Sequence, residues 1–212
     1  MQTENIQDIP NNSVALALAF LNLGPADPAQ PFGRLIPGKA NRQIADLLEE
    51  NAERFFAVLT QQAVSDALVD PTRLTDGTPV YQMHRHCEIP VFTFAALQCA
   101  LERLPTGQWP LVVIGHPRHL RRARMDIQAL AGDRQITYVS SGPTCYQDSH
   151  WSRPFYWTAK NALGWLVDGM LCASLRWPGT AQFFRLSLTL ISTIDRCPDQ
   201  VRLDCIDLND GK

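Results

Sequence analysis

Residues Leu111 to Leu130 read LVVIGHPRHLRRARMDIQAL: an apolar run ends in Gly115, and His116, Arg118, His119, Arg121, Arg122 and Arg124 follow. A strand–glycine–helix junction lets backbone N–H groups and the positive end of a helix dipole approach an anion. Arg118 and Arg122 stand at i and i+4 of that helix, so both can converge on one carboxylate or phosphate. Cations at a helix start oppose the dipole unless an anion compensates them. In this reading Gly115 and His116 supply backbone donors, and Arg118 and Arg122 supply charge. The plainer alternative is a solvated helix start, since arginine forms helices well.

The five histidines each come after an apolar run. His84 and His86 follow PVYQM, His116 and His119 follow LVVIG, and His150 lies in the loop after QITYVSS. With those runs as parallel strands, all the imidazoles fall at the carboxyl edge of a sheet, where open α/β folds bind ligands. An imidazole titrates in the range useful for proton transfer, which makes His119 and His86 the candidate catalytic residues. HRHCE and HPRH also contain zinc-type ligands, but their spacing fits no standard zinc motif, so no metal residue is assigned. The loop SSGPTCYQDSHW places Cys145, a conceivable nucleophile, near His150; a surface loop with an incidental thiol is its plainer reading.

The elements that would position these residues alternate. Val14 to Phe20, Phe55 to Thr60, PVYQM, WPLVVIG and QITYVSS read as buried strands. Asn41 to Glu53 has Ile44, Leu47, Leu48 and Ala52 at helical spacing, and QQAVSDALVD reads as a short helix. Pro90 opens a helix in PVFTFAALQCALERL, Leu120, Ala123, Ile127 and Leu130 share one face of the basic helix, and another helix runs from about Phe155 to Trp177. LGPADPAQPFGRLIPG, rich in proline, reads as loop. Strands separated by helices predict a three-layer α/β fold, Rossmann-like, with a mostly parallel sheet of about five strands. The chain is expected to be a single domain over residues 1–212, with 178–212 as a C-terminal extension. There the period-two pattern around Leu186, Leu188 and Leu190 favours a β-hairpin over a helix.

Composition sets the partners. With 212 residues, net charge −2, 45% hydrophobic and 19% charged residues, the chain is an ordinary globular one. The near-neutral balance argues against a general nucleic-acid binder, so any anion affinity must be local. Six cysteines without a CxxC pair predict reduced thiols in a cytoplasmic protein, although Cys197 and Cys205 could face each other across a hairpin. VALALAFLNL lacks the basic leader and cleavage site of a signal peptide. No stretch reaches the roughly 18 apolar residues of a membrane span. Neither GxGxxG nor GxxxxGK[ST] occurs, which weighs against a dinucleotide oxidoreductase and a P-loop enzyme.

The order of the pieces resembles the bacterial domain-of-unknown-function family that includes YdcF, SanA and the envelope factor ElyC. VALALAF matches that family's first strand, and NRQIADLLEENAERFFAVLTQQA its arginine-containing helix and second strand. EIPVFTFAAL matches its threonine-led helix and HLRRA, His119 to Ala123, its His-x-x-Arg-Ala helix. Where family members carry glycines after the first two strands, this chain has LNLG and TQQA. Of the family's acidic–Ser–Thr–Asn series only Thr93 remains, with Cys87, Pro90 and Ala96 at the other steps. The resemblance implies a Rossmann-like fold, carries Thr93, His119 and Arg122 into the site, and implies a nucleotide or S-adenosylmethionine ligand.

The leading functional expectation is a small-molecule-binding protein that holds, and acts on, a phosphorylated or nucleotide-like ligand at the carboxyl edge of the sheet. Gly115, His116, Arg118, Arg122 and Thr93 would bind it, and His119 or His86 would handle a proton. The cofactor and the oligomeric state are unassigned. A non-catalytic ligand-binding or regulatory module, and a metal-dependent hydrolase built on the histidines, are the alternatives.

Overall fold

A computed structural model describes residues 8–20, 22–27, 29, 34–71, 74, 78, 80–83, 107–142 and 205–207. Asn12 turns the chain into the first strand with φ 56°, a left-handed conformation that asparagine tolerates better than most residues. Strand β1 (Ser13–Leu18) is buried along its whole length. After it come β2 (Asn22–Pro25), β3 (Leu35–Pro37), α1 (Lys39–Glu50), β4 (Phe55–Gln61), the short α2 (Gln62–Ser65) and β5 (Val80–Met83). The later elements are β6 (Leu111–Gly115), α3 (Pro117–Ala131), β7 (Ile136–Ser140) and β8 (Cys205–Asp207).

Among the described residues the main sheet has six strands in the order β7-β6-β1-β4-β5-β8. Pairings β7–β6, β6–β1, β1–β4 and β4–β5 are all parallel, and β8 runs antiparallel, against β5. The expected α/β fold with a mostly parallel sheet is therefore present. The chain steps outward from β1 through β4 to β5, then returns to the other side of β1 for β6 and β7. Its direction reverses between β1 and β6, and in open α/β sheets that switch point leaves a crevice at the carboxyl ends of the strands.

Two apolar layers hold the sheet. On one face Leu120, Ala123, Ile127 and Ala131 of α3 pack against Leu16, Leu18, Leu59 and Val113. On the other, Ile44, Ala45 and Leu48 of α1 pack against Ala15, Ala17, Val58 and Ile114. Burying each such Leu or Ile side chain contributes about 1.5–3 kcal/mol, so consecutive residues of β1 and β6 anchor opposite layers. This explains why both strands are apolar without alternation.

Several boundaries differ from the sequence expectation for local reasons. Helix α1 starts at Lys39 and stops at Glu50, where the Asn51 side-chain amide donates to the Leu47 carbonyl at 2.9 Å and a 3-10 turn, Ala52–Arg54, follows. Helix α2 is only four residues. Ser65 Oγ turns back to the Gln62 carbonyl, and the Asp66 carboxylate accepts the Leu35 N–H at 2.7 Å. Such side-chain bonds compete with helix continuation. Burial raises the Asp66 pKa, opposed by that N–H and by Arg34. The segment expected to be proline-rich loop contains an antiparallel hairpin, β2 with β3, closed by Ala26 N–H to the Arg34 carbonyl at 2.8 Å. Pro25 and Pro37 each end a strand, where a missing N–H is tolerated. The helices expected near Pro90 and over 155–177, and most of the C-terminal hairpin, lie outside the described residues.

Candidate functional site

The switch point is built from segments that leave β1, β4, β6 and β7 at one edge. As the chain leaves β1, the Ala19 N–H donates to Gln61 Oε1 at 2.7 Å, and the Phe20 N–H donates to Asn41 Oδ1 at 2.7 Å. Gln61 ends β4, and Asn41, fully buried, lies in the first turn of α1. Two side-chain amides thus fix the direction in which the chain departs, across separations of 42 and 21 residues.

On the other side of the switch point the contacts come from the start of α3. The Phe20 ring lies against the His116 imidazole with centroids 4.0 Å apart and planes within 5°. The Ala19 carbonyl is 2.9 Å from His119 Nδ1. A carbonyl only accepts, so Nδ1 carries a proton. His119 is 5% exposed.

His116 caps α3. Its Nδ1 accepts the Arg118 N–H at 3.3 Å, and its carbonyl accepts the Leu120 N–H at 2.9 Å. Burial, and then the neighbouring Arg118 charge, push its pKa down to about 4. The imidazole is therefore neutral at pH 7, with Nε2 as its N–H. The positive potential of this stretch belongs to the arginines. Arg118 is half-buried beside the cap, while Arg121 and Arg124 are exposed. Arg124 sits over the Tyr138 ring of β7 at 5.0 Å, which commits it to the sheet flank. Arg122 follows Arg118 by one turn of α3; its side chain lies outside the described residues.

Gly115 is explained by packing. A Cβ there would meet Leu120 Cδ2 at 3.2 Å and Leu18 Cβ at 3.5 Å, so glycine lets the first turn of α3 close onto β1 and β6. Its carbonyl accepts the Ser141 N–H at 3.0 Å. Ser141, just past β7, is 7% exposed, and its Oγ has no hydrogen-bond partner among the described residues. Thr60 Oγ1, near the end of β4, is fully buried and likewise unpartnered.

The structure thus brings Gly115, His116, Arg118 and His119 to one carboxyl edge, with Phe20, Asn41, Gln61 and Ser141 added to them. His84, His86, Thr93, Cys145 and His150 lie outside the described residues, so the second histidine pair and the threonine are not placed. Among the described residues no group of three or more His, Cys, Asp or Glu side chains is arranged to hold a metal ion. Among them, too, no helix is long and apolar enough to cross a membrane. No family model, curated protein or solved structure matches the chain.

Proposed function

We propose that this protein binds a small anionic ligand, phosphorylated or nucleotide-like, in the crevice between the carboxyl ends of β1 and β6, and acts on it there. Arg118 and Arg122 supply the charge, and His119 handles a proton at Nε2. His86 and Thr93 are proposed to complete the site, and the protein is proposed to work in the cytoplasm. We also propose kinship with the family of YdcF, SanA and ElyC, on the order of strands and helices and on the HLRRA segment, His119 to Ala123. The observation that carries the reading is the reversal of strand order between β1 and β6, with two imidazoles and an arginine following β6 at that point.

A thermal-shift panel of nucleotides, sugar phosphates and S-adenosylmethionine identifies the ligand class. Calorimetric titration with adenosine monophosphate then compares wild type with Arg118→Ala and Arg122→Ala. A charge-assisted hydrogen bond is worth on the order of 1.5–3 kcal/mol, so each variant should bind roughly tenfold to a hundredfold more weakly, with melting temperature as the control for folding. Unchanged affinity in folded variants moves the anion elsewhere.

A further inference from the structure

The start of α3 is capped from within. Pro117, its first residue, has no N–H. The Arg118 N–H is taken by His116 Nδ1, and the Leu120 N–H by the His116 carbonyl. Neither Pro117 nor the Arg118 N–H is then open to an arriving anion, which puts weight on the side-chain donors beside them.

Ser141 is placed to be one. Gly115 pairs with Ser140 across parallel strands, and the Ser141 N–H bonds the Gly115 carbonyl. Ser141 and His116 are thus the next residues on neighbouring chains, about 4.8 Å apart in the hydrogen-bonding direction. Along β7 the alternation of buried Thr137, Val139 and Ser141 puts Ser141 on the same face as Val139, inside the edge of the sheet. Its hydroxyl is buried without a partner among the described residues, a condition that costs stability unless something outside the fold completes it. Phe20, Pro117, Arg118 and Gly142 around the pair are partly exposed, so a ligand need penetrate only one residue below the surface.

We propose that the His116 Nε2–H and the Ser141 hydroxyl form a neutral two-point donor site for a phosphoryl oxygen, with Arg118 beside them supplying the charge. This rests on the ligand-binding reading above and deepens it: the ligand is a phosphate monoester held by these side chains. The His116 ring is kept uncharged by its burial and then by the neighbouring Arg118 charge, so it recognises oxygen by geometry.

The test is calorimetric titration of wild type, Ser141→Ala and His116→Asn at pH 7.5 with adenosine monophosphate and with inorganic phosphate. Asparagine preserves the cap and removes the ring N–H. Ser141→Ala should leave the melting temperature of the ligand-free protein equal or higher while weakening both probes roughly three- to tenfold. His116→Asn should weaken them by a similar factor. If the nucleotide binds wild type in an Arg118-dependent way and Ser141→Ala binds it equally well, the donor pair is wrong and the anion reading stands. If the nucleotide does not bind wild type, both fall. A lower ligand-free melting temperature for Ser141→Ala makes the hydroxyl a structural partner and also overturns the proposal. Should His116→Asn fail to fold, Ser141→Ala alone decides.

Discussion

Acidification should cost this protein stability chiefly through His116. Its pKa in the fold is about 4, against 6.5 for the free side chain. Between those values the unfolded chain binds the extra proton, so the contribution is fully present above about pH 6.5 and is lost as the pH falls toward about 4. At about 1.36 kcal/mol per pKa unit the full effect is on the order of 3 kcal/mol, of which about 2 kcal/mol is gone by pH 5. The geometry gives the cause. His116 is 2% exposed, and a protonated Nδ1 cannot accept the Arg118 N–H that it now holds. Urea denaturation of wild type and His116→Asn at pH 7.5 and pH 5 isolates the residue, because asparagine caps without titrating. Wild type should lose about 2 kcal/mol more than the variant over that interval. Equal losses would refute a neutral, buried, capping His116.

Two further substitutions test how the edge is packed. Gly115→Ala should destabilise by about 1–3 kcal/mol in urea, because its methyl meets Leu120 Cδ2 at 3.2 Å; wild-type stability would mean that Leu120 repacks freely. Thr60→Val replaces a buried hydroxyl that has no partner among the described residues and should stabilise by about 1–2 kcal/mol. A lower melting temperature would reveal a partner for Oγ1.

Much of the sheet was legible because its strands are buried on both faces. VALALAF, FFAVL and LVVIG are apolar without interruption, and a run of that kind bounded by turn residues reads as a central parallel strand wherever helices intervene. The hairpin of β2 and β3 was not legible, since its prolines signal loop and their harmless placement at strand ends appears only with the pairing. Helix ends slipped where Asn51, Ser65 and Asp66 turn back on the backbone, effects too local for periodicity to register.

At the site, the position of His116 and His119 after an apolar run was enough to put them at the carboxyl edge. The neutrality and capping role of His116 were not readable, because they depend on burial under Phe20, far away in sequence. Asn41 did leave a signal. It precedes Ile44 and Leu48 on the apolar stripe of α1, and a polar residue on such a stripe is buried with a bonding duty. Ser141 left a similar one, continuing the alternation of Thr137 and Val139 beyond the end of β7. Gln61 carried no mark that distinguishes it from an ordinary surface residue.

The most direct measurement is a crystal structure of the protein with adenosine monophosphate bound. The account predicts its phosphate between the ends of β1 and β6, within hydrogen-bonding distance of Arg118, Ser141 Oγ and His116 Nε2. A nucleotide seated at the amino edge of the sheet, or on the outer arginines of α3 away from Phe20 and His116, would contradict it.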